Sequence, residues 1–364
     1  MRILAIIVML AAVTPFLTSC GKSDKGNLPK ASGISGDMYV VMDSIQWMGP
    51  LGAKIDSLFS ADMEGLPRPE PIFNMKWVDP RKLNFVLKQR RNLIFAMTLD
   101  NKGQGAVVVR RLFTPSSIQK IKTEPGLYLE TTKDLYAIGQ DVMFLFGNTE
   151  AELTANINRD GKKLVEYFNK RERERLEQSL FKSAPVKGIT DWVEKEMDVT
   201  IKIPFGYKLA QNEKDFMWAR QINVADDKDI FIAVSDYTSV DQFQQENLIR
   251  FRDAVCNKHL YEDPDLPDSY LVTETNVSHI PVQVKQVNFN GSYAVEMRGL
   301  WRTNNKSMGG PFVGYAMVDE KEGKFYYIEG FTFSPSKGQR EIMRELETIL
   351  MTFKMNVTPP AESK

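Results

Sequence analysis

The sequence predicts an α+β protein of two successive sandwich-like halves, each a set of strands closed by an amphipathic helix at its C-terminal end. Three observations support this class. Short apolar runs typical of strands occur in both halves, and in each half a run with helical periodicity follows them. Residues 183–188, which contain proline and glycine, separate the halves. The last strands are closely spaced, so we expect an antiparallel meander in the second half.

The first half begins with short strands and ends with a long helix. Strands are predicted at residues 39–42, 93–99, 106–111 and 142–146, with a helix at residues 51–59. Residues 101–103 contain a glycine and would form a turn between two of these strands. The closing helix is predicted to start at a capping box of Thr149 and Glu152, after which apolar residues recur at helical spacing.

The second half repeats this arrangement. Its strands are predicted at residues 199–203, 216–222, 230–234, 293–302, 312–318 and 325–333. Ser239 and Gln242 would cap a helix that runs to about His259. The closing helix is predicted to start at residues 334–335, Ser-Pro, because proline is favoured at the first helical position. Its apolar face would consist of Ile342, Leu346, Ile349, Leu350 and Phe353.

The N-terminus carries an export signal that ends at a cysteine. Arg2 supplies a basic start, and residues 3–13 form an apolar run. This run is too short to span a bilayer, which takes about 20 residues. A basic start, an apolar middle and a small-residue end are typical of a secretory signal. The Leu-Thr-Ser-Cys site at residues 17–20 resembles the lipobox of bacterial lipoproteins, which implies cleavage before Cys20 and acylation of that cysteine.

These patterns divide the chain into successive segments. We predict a signal peptide at residues 1–19, acylated Cys20 with a flexible tether at residues 20–36, an N-terminal α+β half at residues 37–182, a linker at residues 183–188, a C-terminal α+β half at residues 189–355 and a disordered tail at residues 356–364. Residues 21–25 hold one acid between two lysines rather than an acidic cluster. We therefore expect the outer membrane facing the periplasm, with surface exposure as the alternative.

Composition limits the classes of function. The chain has 364 residues and a net charge of zero, with 47 basic and 47 acidic residues, so nothing in its charge favours nucleic acid as a partner. Hydrophobic residues make up 43% of the chain, which suits a packed core. Only two cysteines are present. If Cys20 is acylated, Cys256 has no partner and no intramolecular disulfide can form.

Cys256 and His259 lie three residues apart on a predicted helix, close enough to touch. One interpretation is a thiolate–imidazole pair or half of a metal site. The other is coincidence, because the apolar stripe of Val240, Phe243, Leu248, Phe251 and Val255 leaves His259 at its edge and Cys256 beyond it. His279 is the one further histidine. We therefore predict an idle or structural thiol, and no catalytic residue, metal site or cofactor.

The candidate binding residues lie in the second half, at Arg298, Arg302, Gly309 and Gly310. Strand alternation places both arginines on one face, about 13 Å apart along the strand. The glycines would form a turn with free amides, which together with the arginines could hold an anionic or polar ligand. Two alternatives stay open: a turn with no ligand, and an arginine that pairs with Glu296 on the same face.

Several segments of the chain are distinctive when taken together. They are the lipobox, the Gly-Leu-Pro-Arg-Pro-Glu-Pro segment at residues 65–71, the Arg-Gly-Leu-Trp-Arg and Met-Gly-Gly-Pro-Phe segments at residues 298–302 and 308–312, and the Glu-Gly-Phe-Thr-Phe-Ser-Pro run at residues 329–335. With these segments the chain resembles an uncharacterised family of Bacteroidota lipoproteins that carries domain of unknown function 4837. The resemblance would cover nearly the whole mature chain. It implies an envelope location and no known activity.

We therefore expect a lipid-anchored cell-envelope protein of unknown activity that acts as a binding or assembly module. Its partners would be the membrane, through acyl chains on Cys20, and an envelope protein or a polar or anionic ligand. The alternative is an enzyme of unrecognised type that acts on an envelope or imported substrate. A deep pocket with several convergent polar groups would favour the enzyme, and a broad apolar patch with a polar rim would favour the binding module.

Overall fold

The computed structural model describes residues 28–261 and 268–355. The predicted signal peptide, Cys20, most of the tether and the C-terminal tail lie outside the described residues. The chain forms two compact units. The first comprises the described residues up to Ser60 together with Phe73–Phe168, and the second comprises Ala61–Ile72 and the described residues from Asn169 onwards.

The first unit contains a mixed five-stranded sheet. Its strands are β1 (Asp37–Val41), β2 (Asn74–Val78), β3 (Asn92–Thr98), β4 (Leu129–Lys133) and β5 (Asp141–Gly147). They are ordered β2-β1-β3-β5-β4, and all neighbours are parallel except β4 and β5. The buried runs of β1, β3 and β5 explain why the sequence predicted three of these strands. The edge strands β2 and β4 are partly exposed and lack that signal.

The helices of the first unit are mostly short. They are α1 (Ser44–Trp47), α2 (Pro50–Phe59), α3 (Phe85–Lys88), α4 (Gln104–Arg110), α5 (Pro115–Thr123) and the start of α6 (Glu150–Leu180), with a 3-10 turn at Pro80–Lys82. The hydroxyl half of the predicted capping box of α6 is confirmed, since the Glu152 amide donates to Thr149 Oγ1 at 3.2 Å, whereas Glu152 Oε1 has no hydrogen-bond partner among the described residues. The Phe168 ring packs edge-on against Phe59 and Phe73, at 6.1 and 6.3 Å between centroids.

The strand predicted at residues 106–111 is wrong, because these residues belong to helix α4. Three consecutive valines favour a strand by local propensity. Tertiary packing overrides that preference, since Ala106 and Val109 lie three residues apart and are buried on one helix face. In the first turn of the helix, the Gly105 amide donates to the buried carboxylate of Asp43 at 2.9 Å.

The second unit contains an eight-stranded antiparallel sheet. Its strands are β7 (Lys208–Glu213), β8 (Phe216–Ile222), β9 (Asp227–Asp236), β10 (Leu271–Glu274), β11 (Gln283–Phe289), β12 (Ser292–Thr303), β13 (Gly309–Asp319) and β14 (Lys324–Phe333). The order is β10-β12-β13-β14-β9-β8-β7, and β11 pairs with the other part of the β12 edge. The predicted meander is confirmed as β12, β13 and β14. A separate pair joins β6 (Val199–Thr200) to β15 (Lys354–Met355).

Helices cover both faces of this sheet. They are α7 (Lys187–Met197), α8 (Gln245–His259) and α9 (Arg340–Leu350), and a 3-10 turn at Val240–Phe243 precedes α8. Helices α7 and α9 pack with one core cluster, to which Val193, Tyr315 and Leu346 belong. Helix α8 packs with the other, to which Leu248 and Tyr327 belong. The predicted capping box of Ser239 and Gln242 is present and caps the 3-10 turn.

Residues Ala61–Ile72, here called the strap, belong to the second unit although they precede most of the first. Leu66 is buried in the core of the second unit. Arg68 Nη2 donates to the carbonyls of Pro335 and Lys337 at 3.1 and 3.2 Å. This explains the Gly-Leu-Pro-Arg-Pro-Glu-Pro segment structurally, since the prolines keep it extended.

The strap also sets the start of helix α9. The prediction that this helix begins at Ser334-Pro335 is wrong, because it begins at Arg340. The carboxylate of Glu70 accepts from the amides of Gln339 and Arg340 at 2.7 and 3.0 Å. A helix N-terminus attracts negative charge. The carboxylate of Glu70, which is distant in sequence, therefore fixes the start of α9 at a position that the local sequence does not indicate.

Candidate functional site

Helix α8 turns a polar face to the core. Its buried residues are Leu248, Arg252, Cys256 and His259. The predicted stripe placed Phe251 and Val255 towards the core and Cys256 beyond it, and for Cys256 this is wrong, since its side chain is fully buried. The physical reason is an ion pair that the stripe could not show, which turns the Arg252 side of the helix inwards.

This ion pair joins Arg252 to Glu329 of strand β14, and both side chains are fully buried. Arg252 Nε and Nη2 donate to the two carboxylate oxygens at 2.8 and 2.7 Å. Arg252 Nη1 donates to Thr273 Oγ1 at 3.2 Å, and the Tyr327 hydroxyl donates to Glu329 Oε2 at 2.6 Å. Each charge of this buried pair is therefore hydrogen-bonded within the protein, which indicates a structural role for the pair.

Cys256 lies beside this network and has no nucleophilic character. Burial raises the pKa of its thiol to about 12, against a smaller opposing effect of the Arg252 charge. The thiolate is the reactive form of cysteine, so at neutral pH this side chain stays protonated. The structure is consistent with the predicted structural thiol but gives a different reason, namely burial.

A cavity of about 350 Å³ lies between α8 and strands β8 and β9. We call it the α8 pocket. Its apolar lining consists of Phe216, Ala233, Val234, Phe251, Ala254 and Val255. Its polar lining consists of Glu213, Lys214, Asp215, Lys258 and His259. Six apolar and five polar residues therefore line the pocket, and its volume lies within the range of small-molecule sites.

His259 is the buried polar group of the α8 pocket. Its ring stacks on Phe216 at 4.0 Å between centroids and 8° between planes. Its Nδ1 lies 3.0 Å from Gln211 Nε2 and 3.6 Å from a carboxylate oxygen of Glu213. Burial lowers the pKa of His259, so the ring is neutral at pH 7. The Gln211 amide donates to Nδ1, so the hydrogen of the neutral ring sits on Nε2. Nε2 is therefore the donor that the ring can offer a ligand.

A second polar cluster lies at the other end of β8 and β9, beside the aromatic rings of Trp218 and Trp301. Asp229 accepts from Trp218 Nε1 at 2.9 Å and from Arg220 Nε at 2.7 Å. The guanidinium of Arg220 lies over the Trp218 ring, 4.7 Å from its centroid. Burial raises the pKa of Asp229 to about 6 in spite of the Arg220 charge.

The two predicted arginines both pair with carboxylates of the chain. Arg298 donates to both oxygens of Glu296 at 2.7 and 2.9 Å and to Glu347 of α9 at 2.7 Å. Arg302 Nε donates to Glu274 of β10 at 2.8 Å. The alternation of β12 is as predicted, with Trp301 in the core on the opposite face. Binding through these arginines stays a prediction, and a ligand would have to compete with these carboxylates.

The turn predicted at Gly309 and Gly310 is wrong, because both residues lie in strand β13. They pair with Arg302 and Trp301 of β12. At Gly310 a side chain would approach the carbonyl oxygen of Thr332 to 2.0 Å. These glycines therefore allow a close approach of backbones, and the turn itself lies at residues 304–308.

Within the part of the chain that the structure describes, no three His, Cys, Asp or Glu side chains come together as a metal site. Among the same residues, no helix is both long and apolar enough to cross a bilayer. The sequence pointed to α8 through His259 but missed the pocket, since six of its eleven lining residues come from strands β7, β8 and β9 and the turn between β7 and β8.

The two halves of the chain match different protein families. Residues 187–352 match the family model of DUF4837, a domain of unknown function. Residues 31–181 match a different family model, DUF8532, also a domain of unknown function. The resemblance to DUF4837 therefore covers the second half rather than nearly the whole mature chain. The α8 pocket lies within the DUF4837 match.

Solved structures give distant likenesses only. A Bacteroides thetaiotaomicron protein aligns over 46% of this chain and 48% of its own, at 8% identity and a TM-score of 0.26, so the chain spans about half of that protein. The Saccharomyces cerevisiae Ran-binding protein Mog1p aligns over 44% of this chain and 90% of its own, at 8% sequence identity and a TM-score of 0.28. Human StAR-related lipid transfer protein 5 aligns over 41% of this chain and 84% of its own, at 8% sequence identity and a TM-score of 0.22. No curated protein matches the chain.

Proposed function

We propose that the protein is a lipid-anchored binding module of the cell envelope, and that the α8 pocket holds its ligand. The export signal and the Leu-Thr-Ser-Cys site at residues 17–20 support the anchor. The location that we infer from them is the periplasmic face of the outer membrane. The observation that carries the binding role is the cavity of about 350 Å³, whose wall includes the half-buried Phe251 and Val255 and the exposed Ala254 of α8.

The lining indicates the kind of ligand. Phe216, Phe251 and Val255 offer apolar surface, and the neutral His259 ring offers one polar contact. The charged residues of the wall are two acids and two lysines, so they give no preference for an anion or a cation. We infer a small amphipathic molecule, with an apolar body and an acceptor group for His259 Nε2.

The enzyme alternative has less support at this site. His259 could act as a general base, since its ring is neutral. Among the described residues that line the pocket, however, none carries a hydroxyl or a thiol that such a base could activate. The nearby thiol of Cys256 is protonated at neutral pH. The lining therefore favours binding over nucleophilic catalysis.

A fluorescent probe tests the proposed site. N-phenyl-1-naphthylamine, a neutral apolar amine, should bind the full-length Cys20→Ala chain saturably and fluoresce. Ala254 is an exposed residue of the pocket wall, so Ala254→Trp should fill the cavity and leave the fold intact. We expect Ala254→Trp to weaken probe binding by about tenfold or more, because the indole would take the apolar surface that the probe otherwise contacts.

Asn257→Trp provides the matched control, because Asn257 is exposed on the same helix and lies outside the pocket lining. This variant should bind the probe as the parent chain does. Equal binding by Ala254→Trp and the parent chain, or no saturable binding at all, would refute the α8 pocket as an apolar ligand site.

A further inference from the structure

We propose that the outer edge of strand β4, in the first unit, binds an extended peptide that adds a strand to the sheet. A large apolar side chain of the peptide would enter an adjacent pocket, and an acidic residue would flank it. This site is separate from the α8 pocket, so the two proposals are tested independently.

The backbone of β4 is prepared for another strand. The Phe146 amide donates to the Tyr128 carbonyl at 2.9 Å, and the Asp134 amide donates to the Gln140 carbonyl at 2.9 Å. These two bonds lie at the two ends of β4. They show that the even-numbered residues of this strand form the backbone hydrogen bonds with β5. Antiparallel pairs alternate between bonded and non-bonded. The backbone groups of Leu129, Thr131 and Lys133 therefore point away from β5, where no described strand pairs with them.

The edge lacks most of the usual protection against pairing. Edge strands are commonly blocked by proline, by a bulge, by a covering element or by charged side chains such as lysine. Strand β4 has two charged residues, Glu130 and Lys133, but no proline and no bulge. Strand β4 has the sequence Leu-Glu-Thr-Thr-Lys and keeps an unbroken register with β5. Thr131 and Lys133 are exposed. An extended peptide could therefore approach the backbone of β4 directly.

A cavity of about 280 Å³ adjoins this edge, here called the edge pocket. Its walls include Leu129, Thr131, Met143, Leu164 and Tyr167. Thr131 and Met143 are directly opposite each other in β4 and β5, and both line the pocket. Side chains of opposite residues in neighbouring strands share a face of the sheet. A residue of an added strand opposite Thr131 would therefore point towards the same pocket.

The charges around the edge pocket select the flanking residue. Asp160 accepts from the Tyr128 hydroxyl at 2.8 Å and pairs with Arg159 and Lys163 at 2.7 and 3.1 Å. These bonds lower the pKa of Asp160 to about 2, so it is ionised. One carboxylate beside two cations leaves a net positive rim. Because the side chains of Arg159 and Lys163 are mostly exposed, a carboxylate of the peptide can reach them.

Selection from a phage-displayed library of random peptides on the full chain tests the proposal. Thr131→Pro removes an outward amide without taking a bond from β5, and Thr131→Val keeps that amide. We expect selected peptides to share a large apolar residue next to an acid. They should bind the Thr131→Val variant like the parent chain and the Thr131→Pro variant about tenfold more weakly, as loss of a backbone hydrogen bond implies.

Hydrogen exchange of the parent chain tests the same claim without a variant. Adding a selected peptide should protect the amides of Leu129, Thr131 and Lys133. Failure to enrich any peptide, equal binding to both variants, or protection elsewhere would overturn the proposal. A concentration-dependent dimer that Thr131→Pro abolishes would also overturn it, since the edge would then pair with a second copy of the chain.

Discussion

At the scale of single residues, burial rather than sequence neighbourhood decides which side chains are reactive. Cys256 and His259 lie three residues apart, yet they face different surroundings. The thiol is enclosed beside Arg252 and Glu329, whereas the imidazole stacks on Phe216 at the wall of a cavity. Of this pair, His259 is therefore the residue that we propose as a binding group.

Cys256 should be chemically inert in the folded protein. With a pKa of about 12, about one thiol in ten thousand is ionised at pH 8. We expect no reaction with 5,5′-dithiobis(2-nitrobenzoate) at pH 8 in the folded Cys20→Ala chain, and complete reaction of one thiol after unfolding in urea. Rapid labelling of the folded chain would show an accessible thiolate and revive the thiol–imidazole interpretation.

Asp229 should make stability depend on pH in the direction opposite to most carboxylates. Its pKa is raised from 3.8 to about 6, so the folded state binds the proton more tightly than the unfolded state. This contribution favours folding below pH 4 and is lost as the pH rises through about 6. Compared with Asp229→Asn, which does not titrate, the parent chain should lose on the order of 3 kcal/mol between these values. Urea unfolding from pH 4 to 7 measures the difference, and parallel curves for the two proteins would contradict the assignment.

At the scale of elements, helix α9 depends on a residue about 270 positions earlier in the chain. Glu70→Ala removes the carboxylate that accepts from the Gln339 and Arg340 amides. We expect a loss of about 1–2 kcal/mol in the free energy of unfolding, the usual cost of removing a helix cap.

Glu64→Ala is the matched control for this prediction. Glu64 also belongs to the strap and pairs with Lys285, but about half of each side chain is exposed, and such surface pairs contribute little. Equal losses for Glu64→Ala and Glu70→Ala in urea unfolding would show that the cap has no special role.

The same element shows what local sequence could and could not predict. The strands β3, β5, β8 and β12 to β14 were predictable because their apolar runs or alternation match their burial. Helix α4 was not, since its burial depends on tertiary packing that outweighs three valines. The start of α9 and the orientation of α8 were not predictable either, because Glu70 and Glu329 are distant in sequence from the helices that they fix.

The candidate site follows the same rule. Apolar positions on α8 were visible in the sequence, but the burial of Arg252 on the same helix was not, because its partner Glu329 lies on a distant strand. The alternation of β12 was predictable, yet the carboxylates that engage Arg298 and Arg302 come from Glu347 and Glu274 of other elements. Local pattern therefore indicates which residues share a face, and long-range pairing decides what that face meets.

At the scale of the whole molecule, the proposed lipid anchor at Cys20 can be tested directly. Cys20→Ala should prevent acylation and release the protein from membranes or stop its maturation. Cys256→Ala is the control, because it removes the other cysteine and should leave the protein membrane-bound with its lipid label. Fractionation after labelling with a clickable palmitate analogue measures both. A Cys20→Ala protein that stays labelled and membrane-bound would disprove the anchor.

The central claim, that the α8 pocket holds a ligand in the cell, is tested most directly by photo-crosslinking in living cells. p-Benzoylphenylalanine replaces Ala254 in the pocket wall or, in a second strain, Asn257 on the exposed face of the same helix. After irradiation, intact-mass spectrometry should show one defined small-molecule adduct on the chain modified at position 254 and none on the chain modified at position 257. The same adducts at both positions, or none at position 254, would contradict the account.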